Sequence, residues 1–363
     1  MPPPGICPDR GTGPHRQGRP GPRTIANARG GGHPRVLLID VPLQFVVGKG
    51  GVGKSTLTAA LALEAASRGL RTLVIEFGGH GGVARLFGLE NAKPGLPNLV
   101  APRLTVLALE GDEALAEYLR MVVPIKRVLT AVLSSRLYSV FVAGAPGLKE
   151  LMTVGKVWYE ADRKLAGGEP VWERIFVDAG ASGHSLQYLQ MPSAAVATFR
   201  SGLVHREAER VQALLADPSR TCVHVVAIPE EMPVTEAAAI VERLRGSLGL
   251  PLGKLYMNRC RPAAPPGARD GIAALDRIAL EGAGGALRAV MRDAACAALE
   301  WEEVQEAAIA RVEAVTGLRA ERLPLLVRAE FGLREATELV PLLGGAGPAP
   351  GATAGGDGQG GTP

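Results

Sequence analysis

The sequence predicts an α/β fold, a doubly wound and mostly parallel sheet with helices on both faces. Three observations carry this. Short, uninterrupted apolar runs recur along the chain, as in strands buried on both sides. Helical patterns separate these runs, so the order is strand, helix, strand rather than strands followed by helices. A glycine-rich loop joins the first run to the first helix, at residues 48–53.

The elements follow in order. Leu43–Val47 is an apolar run that enters the glycine loop, and Lys54–Ser67 reads as a helix with Leu57, Leu61 and Leu63 on its apolar side. Thr72–Phe77 and Leu104–Leu109 are the second and third runs. Ile175–Val177, ending at Asp178, is the fourth, followed by Cys222–Ile228, Leu252–Met257 and Arg322–Leu326. Two stretches break the rhythm: 112–167 and 270–315 have helical periodicity and no convincing strand. Both are too long for a simple crossover. They read as helical insertions that pack together above the carboxyl edge of the sheet. The ends are low in complexity. Residues 1–34 hold 8 glycines and 8 prolines, and residues 344–363 hold 9 glycines and 3 prolines. Such compositions bury too little apolar surface to offset their ordering entropy, so both ends are expected to be disordered around one folded domain, 35–343.

Composition narrows the function classes. Of 363 residues, 47% are hydrophobic and 21% charged, a globular balance. The formal charge is +4, and residues 1–34 account for all of it, with Arg10, Arg16, Arg19, Arg23 and Arg29 against Asp9 alone. The remainder is neutral, which argues against a nucleic-acid-binding core. The basic head reads as a solvated tail or as a weak tether to an anionic surface. Cys7, Cys222, Cys260 and Cys296 form no CxxC pair, so neither a zinc site nor a disulfide framework is expected. No run of 18 apolar residues and no N-terminal apolar segment appear, so a cytoplasmic protein is expected.

The loop itself carries chemistry. Gly48, Gly53, Lys54 and Ser55 satisfy G-x-x-x-x-G-K-[ST], in the run Gly48-Lys49-Gly50-Gly51-Val52-Gly53-Lys54-Ser55-Thr56. The required context, an apolar strand before it and a helix after it, is present. Glycines let successive N–H groups turn inward toward phosphate oxygens, and the following helix adds its N-terminal dipole. In this pattern Lys54 reaches the β- and γ-phosphates of a nucleotide, and the Ser55 hydroxyl is placed to ligate Mg²⁺. ATP and Mg²⁺ are the expected ligands.

A lysine directly after the first glycine, in GKGGVGKST, makes this loop resemble the deviant Walker A class of P-loop NTPases. These include the arsenite-pump ATPase, the tail-anchored-protein targeting ATPases, and MinD and ParA. The resemblance implies a homodimer in which Lys49 reaches the partner's nucleotide and stabilises phosphate charge there. Later segments resemble the ArsA-like branch over residues 43–343. Asp178-Ala179-Gly180-Ala181-Ser182-Gly183-His184-Ser185-Leu186 resembles its switch II. This implies that Asp178 holds a Mg²⁺-bound water and that His184 lies on the loop sensing the γ-phosphate. Pro229-Glu230-Glu231-Met232-Pro233-Val234-Thr235-Glu236 and Pro146-Gly147-Leu148-Lys149-Glu150 resemble further family segments. Asn258-Arg259 resembles the strand-end pair whose asparagine faces adenine, and Leu323-Pro324-Leu325-Leu326 the stretch beside the base.

One position departs. Where the family places an aspartate that orients the attacking water, counting back from Leu86-Phe87 gives Gly78. Glycine cannot orient water, so hydrolysis is expected to be slow, with Glu76 or His80 as substitutes. The ordinary reading of Glu76 is a strand-end carboxylate facing solvent. Three functions stay open: an ATPase whose nucleotide state moves helical insertions that engage a partner or client, a hydrolysis-deficient nucleotide-dependent scaffold, and a MinD-like membrane-associated ATPase. The third needs a terminal basic amphipathic helix, and 330–343 is a mixed-charge stretch containing Gly332 and Pro341. Neither an arsenite-binding cysteine trio nor a methionine-lined groove is legible, and the client is not.

Overall fold

The computed structural model describes residues 40–78, 81–89, 95–111, 114, 147–180, 182–277, 283–328 and 331–343. Its strands are β1 (Leu43–Gly48), β2 (Thr72–Phe77), β3 (Pro97–Ala101), β4 (Leu104–Leu109), β5 (Arg174–Asp178), β6 (Thr221–Ala227), β7 (Leu252–Cys260) and β8 (Ala320–Pro324). They form one sheet in the order β3-β4-β2-β5-β1-β6-β7-β8. All neighbours pair parallel except β3, which is antiparallel to β4. The mostly parallel, doubly wound sheet is therefore present. β3 is an element that the apolar-run reading does not contain.

The helices among the described residues are α1 (Lys54–Ser67), α2 (Gly82–Leu86), α3 (Leu148–Asp162), α4 (Ser182–Thr198), α5 (Leu203–Ala216), α6 (Glu231–Arg245), α7 (Ala268–Arg277), α8 (Ala283–Thr316) and α9 (Leu333–Leu343). Of the first insertion, 112–113 and 115–146 lie outside the described residues, as do both tails. The described residues of 263–303 cluster as one compact unit, and those of 40–262 with 304–343 as another. In the smaller unit, Arg269 on α7 pairs with Glu303 on α8. No described helix is long and apolar enough to cross a membrane.

The pleat sends alternate residues of each strand to opposite faces. Leu43, Phe45 and Val47 of β1 join one core with α4, α5 and α6. Val46 joins a second core with α1, α2 and α9. Phe45, Val46, Val47, Val74, Phe176 and Val177 are fully enclosed, which explains why these strands read as unbroken apolar runs. Helix α9 continues through Pro341 and buries Ala336, Leu339 and Leu343 against the second core.

A polar knot sits inside that core. The β6–β7 register shifts between Val223 and Val225, and the Lys254 N–H donates to His224 Nδ1 at 2.9 Å instead of to a strand carbonyl. Nε2 therefore carries the ring proton and donates to Gln44 Oε1 at 2.9 Å. Burial holds His224 neutral, with its pKa near about 3, and pushes the Cys222 thiol up to about 12. Cys222 is thus the buried, inert thiol that its place in a strand run suggests.

Parallel pairing brings Gly48, Phe77, Asp178, Ala227, Cys260 and Pro324 to one edge of the sheet. The chain leaves β1 toward β2 on one side, while β6 to β8 lie on the other. This is a topological switch point, where open α/β sheets bind ligands.

Candidate functional site

Residues 49–53 form the turn between β1 and α1, and Lys54 is the first helical residue. Gly53 caps the helix at φ 97°. A Cβ there would stand 2.2 Å from Asn258 Nδ2, so only glycine admits the side chain that crosses the loop. Asn258 Nδ2 donates to Val52 O at 2.8 Å, and Arg259 Nη2 donates to Gly51 O at 2.7 Å. Arg259 adopts φ 57° at the end of β7, a left-handed conformation that non-glycine residues hold only where their surroundings impose it. Two consecutive side chains thus occupy carbonyls of the loop.

The two lysines of the loop have different surroundings. Lys54 is buried and donates to Lys49 O at 2.8 Å. Burial lowers its pKa, and the nearby Asp178 opposes that shift. Lys49 extends outward, with Nζ 3.0 Å from Glu236 Oε1 on α6.

At the end of β5, Asp178 Oδ2 accepts from Ser55 Oγ at 2.5 Å. Asp178 Oδ1 is buried and has no hydrogen-bond partner. Burial raises the Asp178 pKa; the hydrogen bond from Ser55, the charge of Lys54 and the N–H of Gly180 oppose it. A buried carboxylate with a spare oxygen beside a hydroxyl suits a hard divalent cation and its waters. The residues present therefore fit Mg²⁺, which Ser55 and Asp178 would hold.

Glu76 pairs in register with Asp178 across β2 and β5. It does not face solvent: the residue is 3% exposed, and its carboxylate accepts from Gly82 N at 2.5 Å and Ala84 N at 3.3 Å. It anchors the first turn of α2, a role invisible to a local reading because the donors lie six and eight residues on. Burial raises its pKa, and those backbone N–H groups counter the shift. Gly78, just beyond β2, stands at φ 87°. His80 lies outside the described residues, and so does the side chain of His184, whose backbone lies in the first turn of α4.

A pocket of about 470 Å³ opens beside the loop. Its polar lining includes Ser55, Thr56, Asn258 and Arg259, and its apolar lining Pro324, Leu326, Phe331 and Leu339. A pocket lined by both polar and apolar side chains beside the loop has room for a small ligand. The fold thus gathers Gly48 through Thr56 with Asp178, Glu76, Asn258, Arg259 and Pro324 at one edge. The sequence reading missed Gly82, Phe331, Leu339 and the partner of Lys49. Phe331 is a lone aromatic in a polar stretch, and nothing local marks it as a wall.

Comparison with known proteins places the chain among similar sequences. The family model described as "Anion-transporting ATPase" matches residues 42–206. The chain is 33% identical over 234 residues to the ATPase BagA of Mycobacterium tuberculosis, covering 62% of this chain and 67% of that protein. It is 26% identical over 301 residues to an arsenical pump-driving ATPase of Acidiphilium multivorum, covering 79% of this chain and 51% of the relative. The corresponding Escherichia coli protein matches at 26% over 245 residues, 63% of this chain and 41% of the relative. The chain thus spans about half the length of the arsenical-pump relatives.

Proposed function

The chain belongs to the ArsA-like family of ATPases, and from that premise we propose that it binds ATP with Mg²⁺ at the switch-point crevice and hydrolyses it slowly as a homodimer. The observation that carries this reading is the Ser55–Asp178 hydrogen bond of 2.5 Å, with the unpartnered Asp178 Oδ1 behind it and Lys54 beside it. Lys54 turns from the Lys49 carbonyl to the β- and γ-phosphates, its charge offsetting theirs. Loop N–H groups and the N-terminus of α1 bind the remaining phosphate oxygens. Bound Mg²⁺ supplies charge neutralisation for the phosphates, and Ser55 and Asp178 hold it. Asn258, Arg259 and Pro324 receive the base. Lys49 acts on the partner's nucleotide, and His184 reports the γ-phosphate to α4.

Slow turnover follows from Gly78 and from Glu76, whose two oxygens are engaged by α2. The nucleotide state is coupled to helical insertions within one ATPase domain, 35–343, and these engage a protein client or membrane partner. The buried thiols Cys222 and Cys260 suit a reducing cytoplasm. A hydrolysis-deficient scaffold is the second reading, and Gly78 favours it. The MinD-like alternative has less support, because α9 spends its apolar residues on the second core.

Phosphate release from the purified protein, with Mg²⁺ and with chelator, tests the reading. Mg²⁺-dependent release and its loss in Lys54→Ala, together with loss of ATP affinity, are expected. Equal ATP affinity in Lys54→Ala would overturn it.

A further inference from the structure

We propose that Glu236 is a positioning residue for Lys49. It holds the lysine's ammonium on its own subunit until the triphosphate bound to a second copy of this chain displaces it. The inference rests on the reading above in which Lys49 acts in trans.

The observations begin with the separation of the two lysines. Lys54 is enclosed, its nitrogen on the Lys49 carbonyl and its charge facing Asp178. Lys49 is about one-third exposed and is held at 3.0 Å by Glu236, which is exposed to a similar degree. Helix α6 is fixed on the sheet by Val234, Ala237, Ile240 and Val241, so Glu236 is presented at a set position rather than from a loose loop. Its second oxygen, Oε2, is buried without a hydrogen-bond partner. Among the described residues the carboxylate therefore leans on Lys49 alone, with no other cation to retain it in that geometry.

Chemistry gives the direction. A lysine paired to a carboxylate on its own subunit must break that pair before it can reach another subunit's phosphates. A partly exposed pair of this kind shifts an equilibrium by no more than about fivefold. A triphosphate carries several negative charges and outcompetes a single carboxylate. The pair therefore holds Lys49 weakly enough to be displaced by a nucleotide-loaded partner. It still keeps the bare loop from presenting an unpaired cation to a second copy without nucleotide. Glu236 biases engagement of Lys49 toward a partner that holds nucleotide, by no more than that factor.

The test is a double-mutant cycle on the full chain with Glu236→Gln, Lys49→Ala and the combination. Single-turnover phosphate release and sedimentation with ATP are both read against protein concentration. Glu236→Gln is expected to lower the protein concentration for half-maximal turnover by about two- to fivefold, with the KM for ATP unchanged. Glu236→Asp, with a shorter reach, should fall between. In the Lys49→Ala background the Glu236 substitution should have no effect, because its action runs through the lysine. If Lys49→Ala lowers turnover and assembly while Glu236→Gln is silent, or acts equally with and without Lys49, the positioning role is overturned and the trans reading stands. If Lys49→Ala itself changes neither turnover nor assembly, both are overturned.

Discussion

Replacing Gly78 with aspartate puts a carboxylate at the position where the family resemblance expects one, yet turnover should not rise. Gly78 stands at φ 87°, with its N–H donating to Leu109 O at 3.0 Å. That hydrogen bond ties the residue to the neighbouring strand β4 and prevents free relaxation of the backbone. A residue with a Cβ held there costs about 1–3 kcal/mol. With a melting shift of roughly 1–2 °C per kcal/mol in a domain of about 300 residues, the variant should melt roughly 1–6 °C lower. Its carboxylate would also join a strand end that already carries Glu76, a buried group whose pKa is raised. To reach a family-like path, the strand would have to release the Leu109 bond. Single-turnover phosphate release and thermal melting on the same preparations decide the matter. A rise in turnover of ten-fold or more, with an unchanged melting temperature, would show that the loop accepts the aspartate and that the reasoning from φ is wrong.

Other substitutions probe the rest of the site. Asp178→Asn should remove Mg²⁺-dependent turnover while raising the melting temperature of the free protein. Asp178 has a folded pKa above its unfolded one, so its ionisation costs stability as pH rises from about 4, and the amide escapes that cost; a lower melting temperature at pH 7 would contradict this. Gly53→Ala should weaken ATP binding at least ten-fold, because the new methyl displaces Asn258 from the loop; titration with a fluorescent ATP analogue checks it. His224, with its folded pKa near about 3 against an ordinary 6.5, contributes stability that is full above about pH 6.5 and is lost as pH falls toward 3. His224→Asn should flatten the acid limb of a stability–pH curve measured by denaturant unfolding, and an unchanged limb would refute the neutral, buried imidazole.

What the sequence discloses depends on whether its cause is local. β1, β2 and β4 are legible almost to the residue because both faces are covered and glycine or proline punctuates their ends. β3 is not, because it is a short edge strand that starts at Pro97, leaves Leu99 largely exposed and pairs antiparallel. β8 starts two residues before the apolar run; Leu325 still donates to Cys260 O of β7 at 2.8 Å, and Leu325 and Leu326 both line the pocket. The loop and Ser55 are marked in the sequence by fixed residue types at fixed spacing, and Asp178 only by the resemblance of its segment at the end of an apolar run. The burial of Glu76 and the hold of Glu236 on Lys49 depend on neighbours supplied by α2 and α6, and no spacing rule encodes them.

The grip of Asn258 and Arg259 on the loop carbonyls bears on the thermodynamics of binding. With Val52 O and Gly51 O already engaged, the loop pays most of its ordering entropy when the protein folds rather than when the ligand arrives. The cradle is then a rigid receptor, and its affinity for phosphate is purchased in advance from the stability of the sheet. Because the same two residues lie beside the base pocket, a fault at the end of β7 would be felt at both ends of a nucleotide at once, as a single loss shared between base and phosphate.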